Sequence, residues 1–166
     1  AFTNMINNGA LCAGANNGTL DVTTTGGTGG INYSINPFAN FVPPATFNNM
    51  LGNTTYTVTA TDANGCSITS SVFIAQPAAL LFTNISSTNV NCFGGTDGGI
   101  TTQATGGTGL LTYSLQPNVQ NNLTGIFNNV GANTYTVTVN DANNCTISTS
   151  VQITEPPVLA LNTFVV

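Results

Sequence analysis

Tyr135, Val137 and Val139 alternate with Thr136, Thr138 and Asn140. A period of two sends the apolar set to one face and the polar set to the other, which predicts a half-buried β-strand. The next segment repeats the pattern, with Cys145, Ile147, Val151 and Ile153 set against Thr146, Ser148, Ser150 and Gln152. Leu111, Tyr113 and Leu115 predict a third strand, Ile100, Thr102 and Ala104 a fourth, and Leu80, Phe82 and Asn84 an opening one. Between the first two lies "DANN", matched by "DANG" at 62–65. Asp and Asn bond their own backbone, and Gly or Asn accepts positive φ, so a hairpin turn is expected there. No stretch carries the helical period.

The chain repeats itself. "CAGANNGTLDVTTTGGTGGINYSINP" from Cys12 returns as "CFGGTDGGITTQATGGTGLLTYSLQP" from Cys92, eighty positions on. "TYTVTATDANGCSITSSVFIAQP" (55–77) then matches "TYTVTVNDANNCTISTSVQITEP" (134–156) at an offset of 79. "EPPVLALNTF" near the end resembles "QPAALLFTNI" at 76–85. Short strands in units of about 80 residues predict an all-β chain of two tandem immunoglobulin-like β-sandwiches. The expected division is 1–77, 78–157, and 158–166 as the first strand of a following repeat or a donor strand. The window reads as cut from a longer tandem array. Tyr56 and Tyr135 open the penultimate strand of each unit, where a tyrosine corner is expected.

Charge removes whole classes of function. The chain has no Lys, Arg or His and only five acidic residues in 166, a net charge of −5. At average usage, roughly 20 basic residues would be expected. Phosphate neutralisation needs Lys and Arg, so nucleic acid and anionic membrane surfaces are not expected partners. No run reaches the roughly 18 apolar residues of a spanning helix, so no direct membrane insertion is expected. "AFTNMINNGA" lacks a basic n-region and is not read as a signal peptide. A hydrophobic fraction of 41% with little net charge is the composition of a folded chain, and disorder needs the reverse. A protease that requires Lys or Arg finds no site in it, which suits a long-lived extracellular protein.

Cys12 and Cys66 are 54 positions apart, and Cys92 and Cys145 are 53 apart. Four cysteines allow three pairings, and only Cys12–Cys66 with Cys92–Cys145 respects the repeat. Two intradomain disulfides are therefore expected, which would place the chain outside the cytoplasm. In the chain-entropy model each would add about 4 kcal/mol to a small core. Zinc is the weaker reading, since there is neither His nor a CxxC.

"CFGGTDGGITTQATGGTGLLTYSL", followed by "TYTVTVNDANNCTISTSVQITEP", resembles the SprB repeat of large Bacteroidetes cell-surface proteins, including the gliding-motility adhesin. The shared motifs are Cys-x-Gly-Gly-x-Asp-Gly, Thr-Gly-Gly-Thr-Gly with a Tyr soon after, and Tyr-Thr-Val running into Asp-x-Asn-Gly-Cys. Unit two has the first motif at Cys92, Gly94, Gly95, Asp97 and Gly98. Unit one departs from it, with Ala15 for the second Gly and Asn17 for the Asp. The resemblance implies an immunoglobulin-like sandwich, export by the type IX route and a part in adhesion or surface filaments, without catalysis. The absence of Lys departs from the family pattern.

Candidate sites are few. "GGTG" at 26–29 and 106–109 lacks the Lys and following helix of a phosphate loop, so it is expected to be a strand connection with positive φ. Asp62 with Asn64, and Asp141 with Asn143, offer too few oxygens for calcium and are read as self-bonded turns. Asp97 is expected to cap the loop after Cys92. The acids are scattered and no base is present, so no catalytic residue, cofactor or metal is expected. Sequons at Asn17, Asn32, Asn53, Asn84, Asn122 and Asn144 fit chance in an Asn/Thr-rich chain. Phe38, Phe41, Pro43 and Pro44 form an apolar patch peculiar to unit one, either packed inward or gripping a glycan. Val158, Leu159, Leu161, Phe164, Val165 and Val166 form a β-prone tail. It is covered either by covalent continuation or by strand addition to a neighbour. The expected function is a structural segment of an extracellular adhesin or filament at the cell surface, with neighbouring copies or repeats as partners. The alternative is a carbohydrate-binding module.

Overall fold

A computed structural model describes residues 1–37 and 45–161, and every structural statement below concerns those residues. The chain divides into two units, Ala1–Ala79 and Leu80–Val166. Unit one contains β1 (Phe2–Asn8), β2 (Gly18–Thr24), β3 (Asn32–Asn36), β4 (Thr46–Met50), β5 (Thr54–Thr61) and β6 (Ser67–Ile74). Unit two contains β7 (Leu81–Thr88), β8 (Gly98–Thr105), β9 (Thr112–Gln116), β10 (Gln120–Asn122), β11 (Ile126–Val130), β12 (Asn133–Asn140) and β13 (Thr146–Ile153). Neither unit contains a helix among the described residues.

In unit one the sheet β1-β2-β4 faces the sheet β3-β5-β6, and all the pairings are antiparallel. Unit two repeats this as β7-β8-β11 against β10-β9-β12-β13. That partition is the one an immunoglobulin-like sandwich makes. The alternation in the sequence becomes the core. Leu20, Val22, Ile35, Phe47, Met50, Tyr56, Val58 and Ile74 fill unit one. Their counterparts Ile100, Leu115, Phe127, Val130, Tyr135, Val137 and Ile153 fill unit two. Thr102 stands where unit one has Val22, and its buried hydroxyl donates to the Gly125 carbonyl at 3.3 Å. The polar set stays in water: along β12 every second residue is buried and the rest face outward.

Both tyrosine corners are formed. The Tyr56 hydroxyl accepts from the Leu51 N–H at 2.8 Å, and the Tyr135 hydroxyl donates to the Gly131 carbonyl at 3.0 Å. Each ring is buried, so the phenol needs its partner. Tyr135→Phe is expected to lower the stability of unit two by about 1 kcal/mol. Chemical denaturation would show this as a lower midpoint at unchanged slope.

The segment 154–161 carries no regular structure. Val158, Leu159 and Leu161, from the tail expected to act as a following repeat's first strand or a donor strand, have exposed side chains. Phe164, Val165 and Val166 lie outside the described residues.

Candidate functional site

Each sandwich has two poles, and the chain enters at one and leaves at the other. At the entry pole of unit one, the Ala1 amino group donates to the Thr25 carbonyl at 2.7 Å, beside the loop Gly26–Gly29 and the β5–β6 hairpin. At the exit pole, the Ala10 N–H meets the Ala75 carbonyl at 2.8 Å, and the Gly14 N–H meets Oε1 of Gln76 at 2.8 Å. Unit two has the same poles. Its loop 106–109 and β12–β13 hairpin lie at the entry end. At its exit end the Gly94 N–H donates to Oε2 of Glu155 at 2.7 Å.

This placement corrects the expected sulfur bridges. Cys12 lies in the exit-pole loop, held through its neighbours Gly14 and Ala15, while Cys66 closes the entry-pole hairpin. The eight residues of β5 separate the two poles, a span of about 26 Å. A disulfide tolerates a Cα separation of only about 4.4–6.8 Å. Cys92 and Cys145 are parted in the same way by β12. Neither Cys12–Cys66 nor Cys92–Cys145 is formed. Cys66 and Cys92 are free, exposed thiols, and Cys12 and Cys145 are disulfide-bonded.

The entry pole is built around one carboxylate. In unit two, Oδ1 of Asp141 accepts the N–H groups of Asn143 and Cys145, both at 2.8 Å, and closes the hairpin. Its Oδ2 accepts the Thr108 N–H at 2.8 Å and holds the Gly-rich loop. Asp62 makes the same three bonds to Asn64, Cys66 and Thr28. The "GGTG" loop is thus a part docked onto the hairpin. Gly109, at φ 72°, shows why: a Cβ there would lie 2.9 Å from the Ala142 Cβ. Three N–H groups converge on each carboxylate, and the asparagines that follow contribute N–H groups rather than oxygens. No cluster of three or more His, Cys, Asp or Glu occurs among the described residues.

These contacts depress three carboxyl pKa values. At Asp62 the Thr28 amide leads, and at Asp97 the Asn91 amide leads. At Asp141 burial is the largest influence and opposes ionisation, but the amides of Cys145, Thr108 and Asn143 outweigh it. Groups held below their unfolded pKa stabilise the fold above that value, about 3.9 for Asp, and lose the contribution as pH falls through the folded value. The thermal midpoint should therefore stay flat from neutral pH to about 5 and drop below about 4. Asp141→Asn should flatten that acid slope for unit two. An unchanged midpoint down to pH 2 would refute the assignment.

The exit pole has its own cap. Asp97 accepts from the backbone N–H of Asn91 at 3.2 Å and from the Asn91 side-chain amide. In unit one Asn17 takes over, with Oδ1 accepting the Leu11 N–H at 2.9 Å. The departure from Asp keeps the bond because a single oxygen suffices.

Two apolar features complete the poles. Unit one has an entry-pole pocket of about 160 Å³, lined by Gly26, Gly27, Ile31, Ala60, Cys66 and Ile68 among others. At the exit pole of unit two, Cys92 and Phe93 line a groove with Pro156, Pro157, Val158 and Leu159. Phe38, Phe41, Pro43 and Pro44, the patch expected to hold a glycan or pack inward, lie outside the described residues.

The SprB repeat family model matches residues 8–40 and 84–120, once in each unit. Each unit therefore contains a stretch that matches the SprB repeat. The matches start at the end of β1 and within β7, and each runs through the exit-pole cysteine loop and the Gly-rich loop to beyond the end of β3 or β9. The SprB motifs therefore mark both poles: Cys-x-Gly-Gly-x-Asp-Gly shapes the exit and Thr-Gly-Gly-Thr-Gly the entry. No curated protein matches the chain. Among solved structures, the Drosophila OTK extracellular domains 3-5 align at 15% identity and a TM-score of 0.39. The alignment covers 92% of this chain and 60% of that one, so the chain spans less than two thirds of the length of OTK domains 3-5.

Proposed function

We propose that the chain is a structural segment of a larger extracellular adhesin or surface filament, non-catalytic and built of rigid sandwiches in series. One observation carries the reading: each SprB repeat is a closed sandwich that takes the chain in at one pole and releases it at the other. Such a module extends a stalk without interrupting its own core. The Thr- and Asn-rich surface carries only five acidic side chains, so the repulsion between neighbouring copies is weak. The side chains at each pole's carboxylate are committed to holding loops, which leaves no acid–base pair for chemistry. The Asp141 and Asp62 oxygens serve the fold.

Electron microscopy of the parent surface, with antibody raised against this chain, tests the reading. Labelled fibres or strings projecting from the cell envelope are expected. Label confined to the cytoplasm would overturn it.

A further inference from the structure

The outermost strand of an antiparallel sheet offers a row of unpaired N–H and C=O groups, and folded proteins blunt such edges with bulges, short strands or charge. In unit two the edges are β7, β11, β10 and β13. β7 meets β8 with a register shift between Phe82 and Asn84, and β11 meets β8 with one between Asn128 and Val130. β10 is only three residues long. β13 has none of these defences. It runs eight residues without a register shift, pairs with β12 alone among the described residues, and contains no Pro, Gly or charged residue. Its counterpart in unit one, β6, is likewise eight residues long, unshifted and uncharged.

The residue just past β13 shows which groups are open. The Thr154 N–H donates to Oδ1 of Asn89 at 2.9 Å, and the Thr154 carbonyl accepts the Val90 N–H at 3.2 Å. Both groups therefore point away from β12. In an antiparallel strand the N–H and C=O of one residue share a direction, and that direction reverses at each step. Gln152, Ser150, Ser148 and Thr146 thus turn their backbone groups outward, along the open edge. Their side chains are exposed as well. The inward-facing side chains between them, Ile147 and Val151, belong to the apolar face of the sheet.

We infer that β13 pairs edge to edge with β13 of a second copy of this chain, antiparallel and centred on Thr149. In that register Thr146 faces Gln152 and Ser148 faces Ser150, and each such pair exchanges two backbone hydrogen bonds. Thr149 faces its own copy at a closely spaced position, where a Thr–Thr pair is favourable. Ile147 faces Val151, so the apolar face continues across the junction. A shift by two residues would leave an outward residue of each copy unmatched. The strand suits itself because it is uncharged: a Lys or Glu on this edge would meet like charge in a second copy. The contact is isologous and closes at two copies. It adds a lateral joint to the reading of sandwiches in series and does not depend on that reading.

The test uses the purified 166-residue chain with its free thiols alkylated, so that only non-covalent association is read. Sedimentation equilibrium is expected to show a reversible, concentration-dependent dimer. Ser148→Lys with Ser150→Lys sets like charges face to face at both pairs and should weaken the dimer about tenfold or more. Ser148→Glu with Ser150→Lys puts opposite charges at the same positions and should restore it. Both serines are exposed, so the fold should survive in each variant, which circular dichroism checks. A parent chain that stays monomeric at its highest soluble concentration overturns the contact, as does a dimer indifferent to the Lys pair. A dimer weakened alike by both double variants overturns the register. These failures are distinct from that of the broader reading, because surface labelling would still find fibres or strings whose chains do not pair side by side.

Discussion

Phe127→Ala is expected to cost unit two about 3–5 kcal/mol. The ring is fully buried between the sheets, against Ile100, Leu115 and Val137, and alanine leaves a cavity that a small sandwich cannot collapse. That loss approaches the whole stability of many domains, about 5–15 kcal/mol. Urea denaturation followed by near-ultraviolet circular dichroism should show the unit-two transition moving to low denaturant. Unit one has its own core and serves as the internal reference. A loss under about 1 kcal/mol would show that the ring is not packed as described.

Gly125→Ala is expected to cost unit two about 2–5 kcal/mol, combining left-handed strain of about 1–2 kcal/mol with overpacking of about 1–3 kcal/mol. Gly125 has φ 71°, and a Cβ there would lie 2.2 Å from the Thr102 carbonyl oxygen. That oxygen belongs to backbone inside a sheet and cannot step aside. The tight turn is set by Asn122, whose Oδ1 accepts the N–H groups of Thr124 and Gly125 at 3.0 and 2.7 Å. Unit one solves the same problem differently. Ala45 occupies the equivalent place at an ordinary φ, and its carbonyl accepts from Val22 as that of Gly125 does from Thr102. Thermal unfolding of the variant checks this, and a midpoint within a degree of the parent would refute it.

The sequence shows some of this plainly and hides the rest for physical reasons. β12 and β13 announce themselves because half-buried strands alternate without interruption. β4 and β11 do not. Phe127 and Val130 are three apart, which a period of two assigns to opposite faces, yet both are buried. Asn129 takes φ 57° and makes a bulge, as Asn49 does with φ 58° between Phe47 and Met50. The bulge inserts one residue and returns the second apolar side chain to the core. β10 is three polar residues on an edge and carries no apolar signal at all.

The cysteines teach a different lesson. The repeat identifies Cys12 with Cys92 and Cys66 with Cys145, but equivalence says nothing of pole. A count of strand passes does. Five strands, β8 to β12, lie between Cys92 and Cys145, and an odd number of antiparallel passes leaves the chain at the opposite end. Even the three that alternate legibly, β8, β9 and β12, give an odd count. Spacing near 54 residues suggested a loop to be closed, when it measured a journey from one pole to the other.

Entry and exit at opposite ends also decide how a unit meets a pull along its length. In unit one, β1 starts at the entry end and β6 finishes at the exit end, so tension slides them past each other along the strand axis. The ladder bonds of β1 to β2 lie across that axis. They are loaded in shear and must give way together, rather than unzip one after another from a free end.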